Sequence, residues 1–189
     1  MERNNLLNNG RIDGEHFALF LENLRDLSVF MRKTISSEFE DDFKEVLDNK
    51  LETLKKNRRK ARKMEGNEDV DLFVNISQFL EKTIRLSFLI SNDLDIEDIL
   101  DMINSSFGNL KKIYGMKGVD TIKSVKMARK IEKNMSKAKK QCYMVLKKKT
   151  SEKGNNKFKI ELLEKLLDVV YEMELLSDHF IVSVDSRIK

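Results

Sequence analysis

Proline is absent from this 189-residue chain and glycine occurs only seven times, so the two residues that most often end a regular element are scarce. Leu, Lys, Glu and Met are plentiful and all favour helix. A single cysteine, Cys142, and two histidines, His16 and His179, exclude a disulfide framework or a Cys/His zinc site within one chain. Tryptophan is missing too. No run approaches the roughly 20 apolar residues that cross a bilayer, and Met1 to His16 lacks the apolar stretch of a secretory signal. The expected location is therefore cytoplasmic, at most peripheral to the inner face of a membrane. Charge of one sign is not in large excess either, since 36 basic and 32 acidic side chains leave a net charge of +4.

What the chain does contain is helical periodicity. Phe17, Leu21, Leu24, Ser28, Met31 and Ile35 recur at spacings of three and four from Gly14 onward. A second helix is expected from Ser36 or Ser37, where Ser37 and Glu40 approximate a capping box, through Phe43, Leu47, Leu51 and Leu54. Gly66 and Asn67 precede a third, with Phe73, Ile76, Ser77, Leu80, Ile84 and Ser87 on one face. A fourth runs from Asp95 through Ile99, Ile103, Phe107 and Leu110 to a loop bounded by Gly115 and Gly118. The fifth has a heptad seam, Ser124, Ala128, Ile131, Met135, Ala138, Cys142 and Val145. Past Gly154, a sixth helix carries Leu163, Leu166, Leu167, Val170, Met173, Ser177 and Ile181 inward.

The fold class expected is all-α, a six-helix antiparallel array of two three-helix repeats, 1–93 and 94–189, forming one compact domain. In each half a shorter helix, a long charged helix, a Gly-Asn break and an apolar-rich helix follow one another. With Glu81 laid on Glu174, Val70, Phe73, Ile76 and Leu80 fall on Leu163, Leu166, Val169 and Met173.

Glu174 lies inside the apolar arc of the sixth helix, about 40° from Val170 at about 100° per residue. A charge there needs compensation. Either a Lys or Arg from a neighbouring helix supplies it, or a metal does. Asp178, one turn further on, adds a second hard oxygen ligand on that side of the helix. Asp48 and Glu52 on the second helix and Glu132 on the fifth are the candidates to complete a carboxylate cage for iron, manganese or magnesium; Glu164 and Asp168 repeat the four-residue spacing on a less inward face.

The segment Tyr171-Glu-Met-Glu-Leu-Leu-Ser-Asp-His179 resembles the last-helix signature of PhoU-like proteins, with Glu174, Asp178 and His179 matching its acidic and histidine positions. The six-helix layout over nearly the whole chain is similar to the same family. The resemblance implies a regulator or accessory protein of phosphate transport that docks on the transporter or its signalling components, with iron or zinc held by such carboxylate pairs. Elsewhere the pattern departs: Arg85 follows Glu81 and Ser136 follows Glu132 where the family's aspartate belongs, and a cation such as Arg85 can take a metal's place. The alternative is a metal-free helical interaction module with an unrelated partner.

Seven cations occupy the nine residues Lys55 to Lys63, and the fifth helix adds many more. The expectation is a solvated exterior in which the fifth helix's cations surround its seam; were the two segments adjacent, they would form one basic surface for anionic lipid, an acidic protein loop or nonspecific nucleic acid. Base-specific readout is not expected, since Tyr143 is the only aromatic among those cations. No catalytic triad, phosphate loop, dinucleotide fingerprint or Glu-x-x-His pair is present, so no enzymatic activity is expected. An exposed heptad edge would let two copies pair.

Overall fold

The computed structural model describes residues 14–36, 43–62, 68–89, 94–115, 121–154 and 156–188. They form six helices, α1 (Gly14–Ser36), α2 (Phe43–Ala61), α3 (Glu68–Ser87), α4 (Glu97–Gly115), α5 (Thr121–Ser151) and α6 (Lys157–Ile188). There is no strand among the described residues, and no helix is long and apolar enough to cross a membrane. The proposed Ser37 and Glu40 cap lies outside the described residues.

The periodic apolar residues are the ones that bury. Leu21, Leu24 and Met31 of α1, Phe73, Ile76 and Leu80 of α3, Ile103 and Phe107 of α4, and Leu163, Leu166 and Met173 of α6 are all removed from solvent. Together with residues of α2 and α5 they make a single hydrophobic cluster, and its burial is the main term that offsets the entropy of ordering the chain. The heptad seam of α5 is buried from Ser124 to Cys142, and Val145 is half-buried. It is therefore covered within the chain, and burial pushes the Cys142 thiol up to about 12.

Five helices close a circuit in which each packs on the next: α1 on α4, α4 on α5, α5 on α6, α6 on α3, and α3 back on α1. Helix α2 lies outside that circuit, against α1 and α3. Directions follow from side-chain pairs. Arg32 near the end of α1 binds Asp101 near the start of α4 at 2.6 Å, while Glu22 accepts from Lys111 at 2.9 Å, so these two helices run antiparallel. Asn75 and Phe79 of α3 meet Glu172 and Lys165 of α6 in the same crossed order. At the turn between α5 and α6, Gly154 adopts φ 152°, a conformation side-chain-bearing residues rarely take. Asn156 then donates to the Lys149 carbonyl at 3.0 Å, which ties off the end of α5.

Candidate functional site

Glu174 faces α5, as its place in the apolar arc demands, and its side chain keeps only 21% exposure. Lys139 reaches it from one position past Ala138 in the α5 seam, with Nζ 2.5 Å from Oε2. The same ammonium sits 4.4 Å from the centre of the Tyr171 ring, on the turn of α6 before Glu174. Carboxylate and ring face both favour the cation. The hydrogen bond to Glu174 holds the Lys139 ammonium above its ordinary 10.5, more than offsetting the opposite pull of burial. Of the two compensations that the sequence leaves open for Glu174, the geometry supplies the neighbouring lysine.

The other candidate ligands lie apart from this pair. Asp178 is exposed one turn further along α6. Glu132 is exposed on α5. Asp48 and Glu52 are exposed on α2, which packs against α1 and α3 rather than α6, and Glu52 accepts from Lys55 at 2.6 Å. That hydrogen bond, helped by the charge of Lys55, holds the Glu52 carboxyl below its ordinary 4.5. Among the described residues no three His, Cys, Asp or Glu side chains gather closely enough to hold one ion.

A second carboxylate cluster lies at the α2 and α3 contact. Glu81, 13% exposed, accepts from Arg58 Nη2 at 2.8 Å through Oε2, and from Arg85 Nη2 at 2.9 Å and Nε at 3.2 Å through Oε1. Burial would raise its carboxyl, but the two guanidinium groups outweigh it and hold the group below its ordinary 4.5. Arg85, which stands where the metal motif would have an aspartate, is thus a partner of the very glutamate it follows.

Glu172 was not singled out by the sequence pattern. Two residues before Glu174 it points the other way, toward α3, where Asn75 Nδ2 donates to Oε1 at 3.4 Å and Oε2 is buried without a partner. Burial raises its carboxyl above the ordinary 4.5, the Asn75 hydrogen bond opposes that, and nearby Asp168 adds to it. The visible signal was its four-residue spacing from Asp168; that this side of α6 meets α3 was not visible.

The basic segments separate. Helix α2 carries Arg59, Lys60 and Arg62 exposed at its end, against α1 and α3, whereas α5 packs between α4 and α6. The two do not form one surface. On α5, Lys126, Arg129, Lys130, Lys133, Lys137, Lys140, Lys147 and Lys148 are all exposed. At about 100° per residue they fall within an arc of about 100° on the side away from the Ala138 seam, so they gather opposite the seam and do not surround it. Glu132 projects outside that arc, toward the α6 side. Beside the arc, α6 exposes Tyr171, Leu175 and Val182, and α5 itself exposes Tyr143 and Met144.

Comparison of the chain with protein-family models, with curated proteins and with solved structures finds no match.

Proposed function

We propose that the protein is a metal-free helical docking module, whose work is to bind a protein partner and not to catalyse a reaction. The observation that carries this reading is the Lys139 pair with Glu174. A carboxylate set in an apolar seam is the feature that would recruit a metal, and here the chain's own ammonium occupies one of its oxygens. Glu81, bracketed by Arg58 and Arg85, is answered in the same way. With its carboxylates neutralised from within, the bundle offers a stiff body with exposed side chains as its means of recognition.

The test is calorimetric titration of chelator-treated protein with iron(II) or zinc. The expected result is no stoichiometric uptake, in the wild type or in Glu174→Ala. Saturable one-to-one binding that disappears in Glu174→Ala and Asp178→Ala would overturn the reading.

A second reading, a PhoU-like accessory protein of phosphate transport at the cytoplasmic face of the membrane, is favoured by the pairing of helices. Exchanging α1, α2 and α3 for α4, α5 and α6 carries the α1 and α2 contact onto that of α4 and α5, and the α2 and α3 contact onto that of α5 and α6; the α1 with α4 and α3 with α6 contacts map onto themselves. The contact of α1 with α3 has no comparable counterpart between α4 and α6. Val70, Phe73, Ile76 and Leu80 are buried as are Leu163, Leu166, Val169 and Met173 in the register that superposes Glu81 on Glu174. Each of those glutamates takes a cation from the charged helix before it, although α2, at 19 residues, is shorter than α1 and not the long helix that the repeat pattern expects. Phosphate uptake by host cells with and without the protein separates the readings: a change in uptake supports the accessory role, and unchanged uptake leaves the docking module with another partner.

A further inference from the structure

The outer face of α5 and α6 has a composition that neither reading above uses. Eight of the nine exposed cations of α5 span Lys126 to Lys148, a length of about 33 Å at about 1.5 Å per residue, and none of these eight has an ion-pair partner among the described residues. No acid interrupts the arc. Parallel to it, on the outward side of α6, run Tyr171, Leu175 and Val182, interleaved with the exposed acids Glu164 and Asp178; exposed Glu132 stands on α5 between the two, and Met144 lies inside the arc itself. Neither face is covered by another described helix, because α5 packs on α4 and α6, and α6 on α3 and α5.

We propose that this face binds the surface of an anionic membrane, with the α5 cations over the lipid headgroups and the α6 apolar side chains entering the interface. Three features choose this occupant over other polyanions. Seven of the eight cations are lysine, a compact hydrated charge suited to a diffuse negative surface, whereas bidentate phosphate recognition and protein interface cores favour arginine. Leu175, Val182 and Met144 suit the acyl boundary, and Tyr143 and Tyr171 beside them suit its headgroup level. The stripe is also long and unbroken by acids: about 33 Å of cations along one helix suits an extended charged surface more than a discrete phosphate pocket. Lysines near an anionic bilayer are drawn to it, and tyrosine rings settle at the headgroup level. The inference goes beyond the docking reading and does not depend on whether Glu174 holds a metal.

Sedimentation with phosphatidylcholine vesicles containing or lacking phosphatidylserine tests it. Wild-type protein is expected to bind the anionic vesicles, to bind the neutral ones far less, and to weaken as salt is added. The triple change Lys133→Gln, Lys137→Gln and Lys140→Gln should lower affinity on the order of 100-fold, at about fivefold for each lysine, with the circular dichroism unchanged. Tyr171→Ser with Leu175→Ser should remove the binding that survives at high salt. Changing Arg59, Lys60 and Arg62 of α2 to Gln alters the net charge equally and should leave binding within about twofold. Equal binding to both vesicle types overturns the proposal, as does an α2 variant as weak as the α5 variant. Tighter binding to RNA or duplex DNA than to anionic vesicles, lost in the same α5 variant, would reassign the face to nucleic acid and overturn it too.

Discussion

Glu81 of α3 and Glu174 of α6 are both largely buried carboxylates met by a cation from a neighbouring helix, yet they are answered differently. Glu81 is gripped through both oxygens by two arginines, one from α2 and one from its own helix. Glu174 is met through one oxygen by a single lysine that also rests on a tyrosine ring. A planar guanidinium fixes geometry, while an ammonium on a long stem is a movable point charge. The first cluster is therefore a lock between two helices, and the second is a looser latch beside an exposed face. The two basic helices diverge in the same manner: α2 commits Arg58 to the inside of the fold, and α5 commits Lys139 while turning eight cations outward.

The comparison is most sharply broken by asking whether the two halves stand alone. Since α1 packs on α4 and α3 on α6, Phe73→Ala in one half and Phe107→Ala in the other should each cost about 3–5 kcal/mol, in a single cooperative transition followed by urea unfolding. Two separate transitions, each sensitive to one variant, would show that the halves are independent.

Next in size is the contrast between the clusters. Glu81→Ala leaves Arg58 largely buried and unpaired, with its Nη1 already lacking a partner, and should cost about 2 kcal/mol; Glu174→Ala, at a more exposed pair, should cost about 1 kcal/mol or less. Their pH signatures should point in opposite directions. The Glu81 carboxyl lies below its ordinary 4.5 when folded, so its contribution is present above that value and is lost as pH falls through the lowered one. The Lys139 ammonium lies above its ordinary 10.5, so its contribution is complete below that value and is lost as pH rises through the raised one. Acid unfolding should thus become less steep in Glu81→Ala, and alkaline unfolding less steep in Lys139→Met.

The smallest effect expected is a gain. Glu172 has a raised carboxyl and a buried oxygen without a partner, so at neutral pH its ionised form opposes folding. Glu172→Gln removes the charge while keeping the shape and should raise stability by about 0.5–1 kcal/mol, with the gain shrinking as the pH is lowered and wild-type Glu172 takes up its proton. A loss of stability in this variant at neutral pH would mean that the carboxylate has a favourable partner.

Much of this architecture could be read before any coordinates. The six helices follow from apolar spacing, because a helix can bury only the residues that share a face; Phe73, Ile76 and Leu80 were identified in this way, and so were Ala138 and Cys142. That Glu174 would face a seam was legible on the same ground. What answers it was not, since Lys139 becomes its partner only when α5 lies alongside α6, and spacing within one helix says nothing about which helix is its neighbour. The same limit hid Glu172, whose side of α6 meets α3, and the separation of the basic segments, which depends on α2 packing outside the circuit that includes α5. The outward arc of α5 is carried by the spacing of its cations within one helix, which gathers them opposite the seam instead of around it.

The central claim is that the chain neutralises its own seam carboxylate and needs no metal to do so. Thermal unfolding of the wild type and of Glu174→Gln, each with chelator and with excess zinc or iron(II), tests it most directly, because any ion held by the folded state must raise its stability by mass action. The account predicts wild-type midpoints that agree with and without metal, and a Glu174→Gln deficit of the same size in both conditions. A wild-type midpoint that rises with metal, and a rise that vanishes in Glu174→Gln, would contradict it.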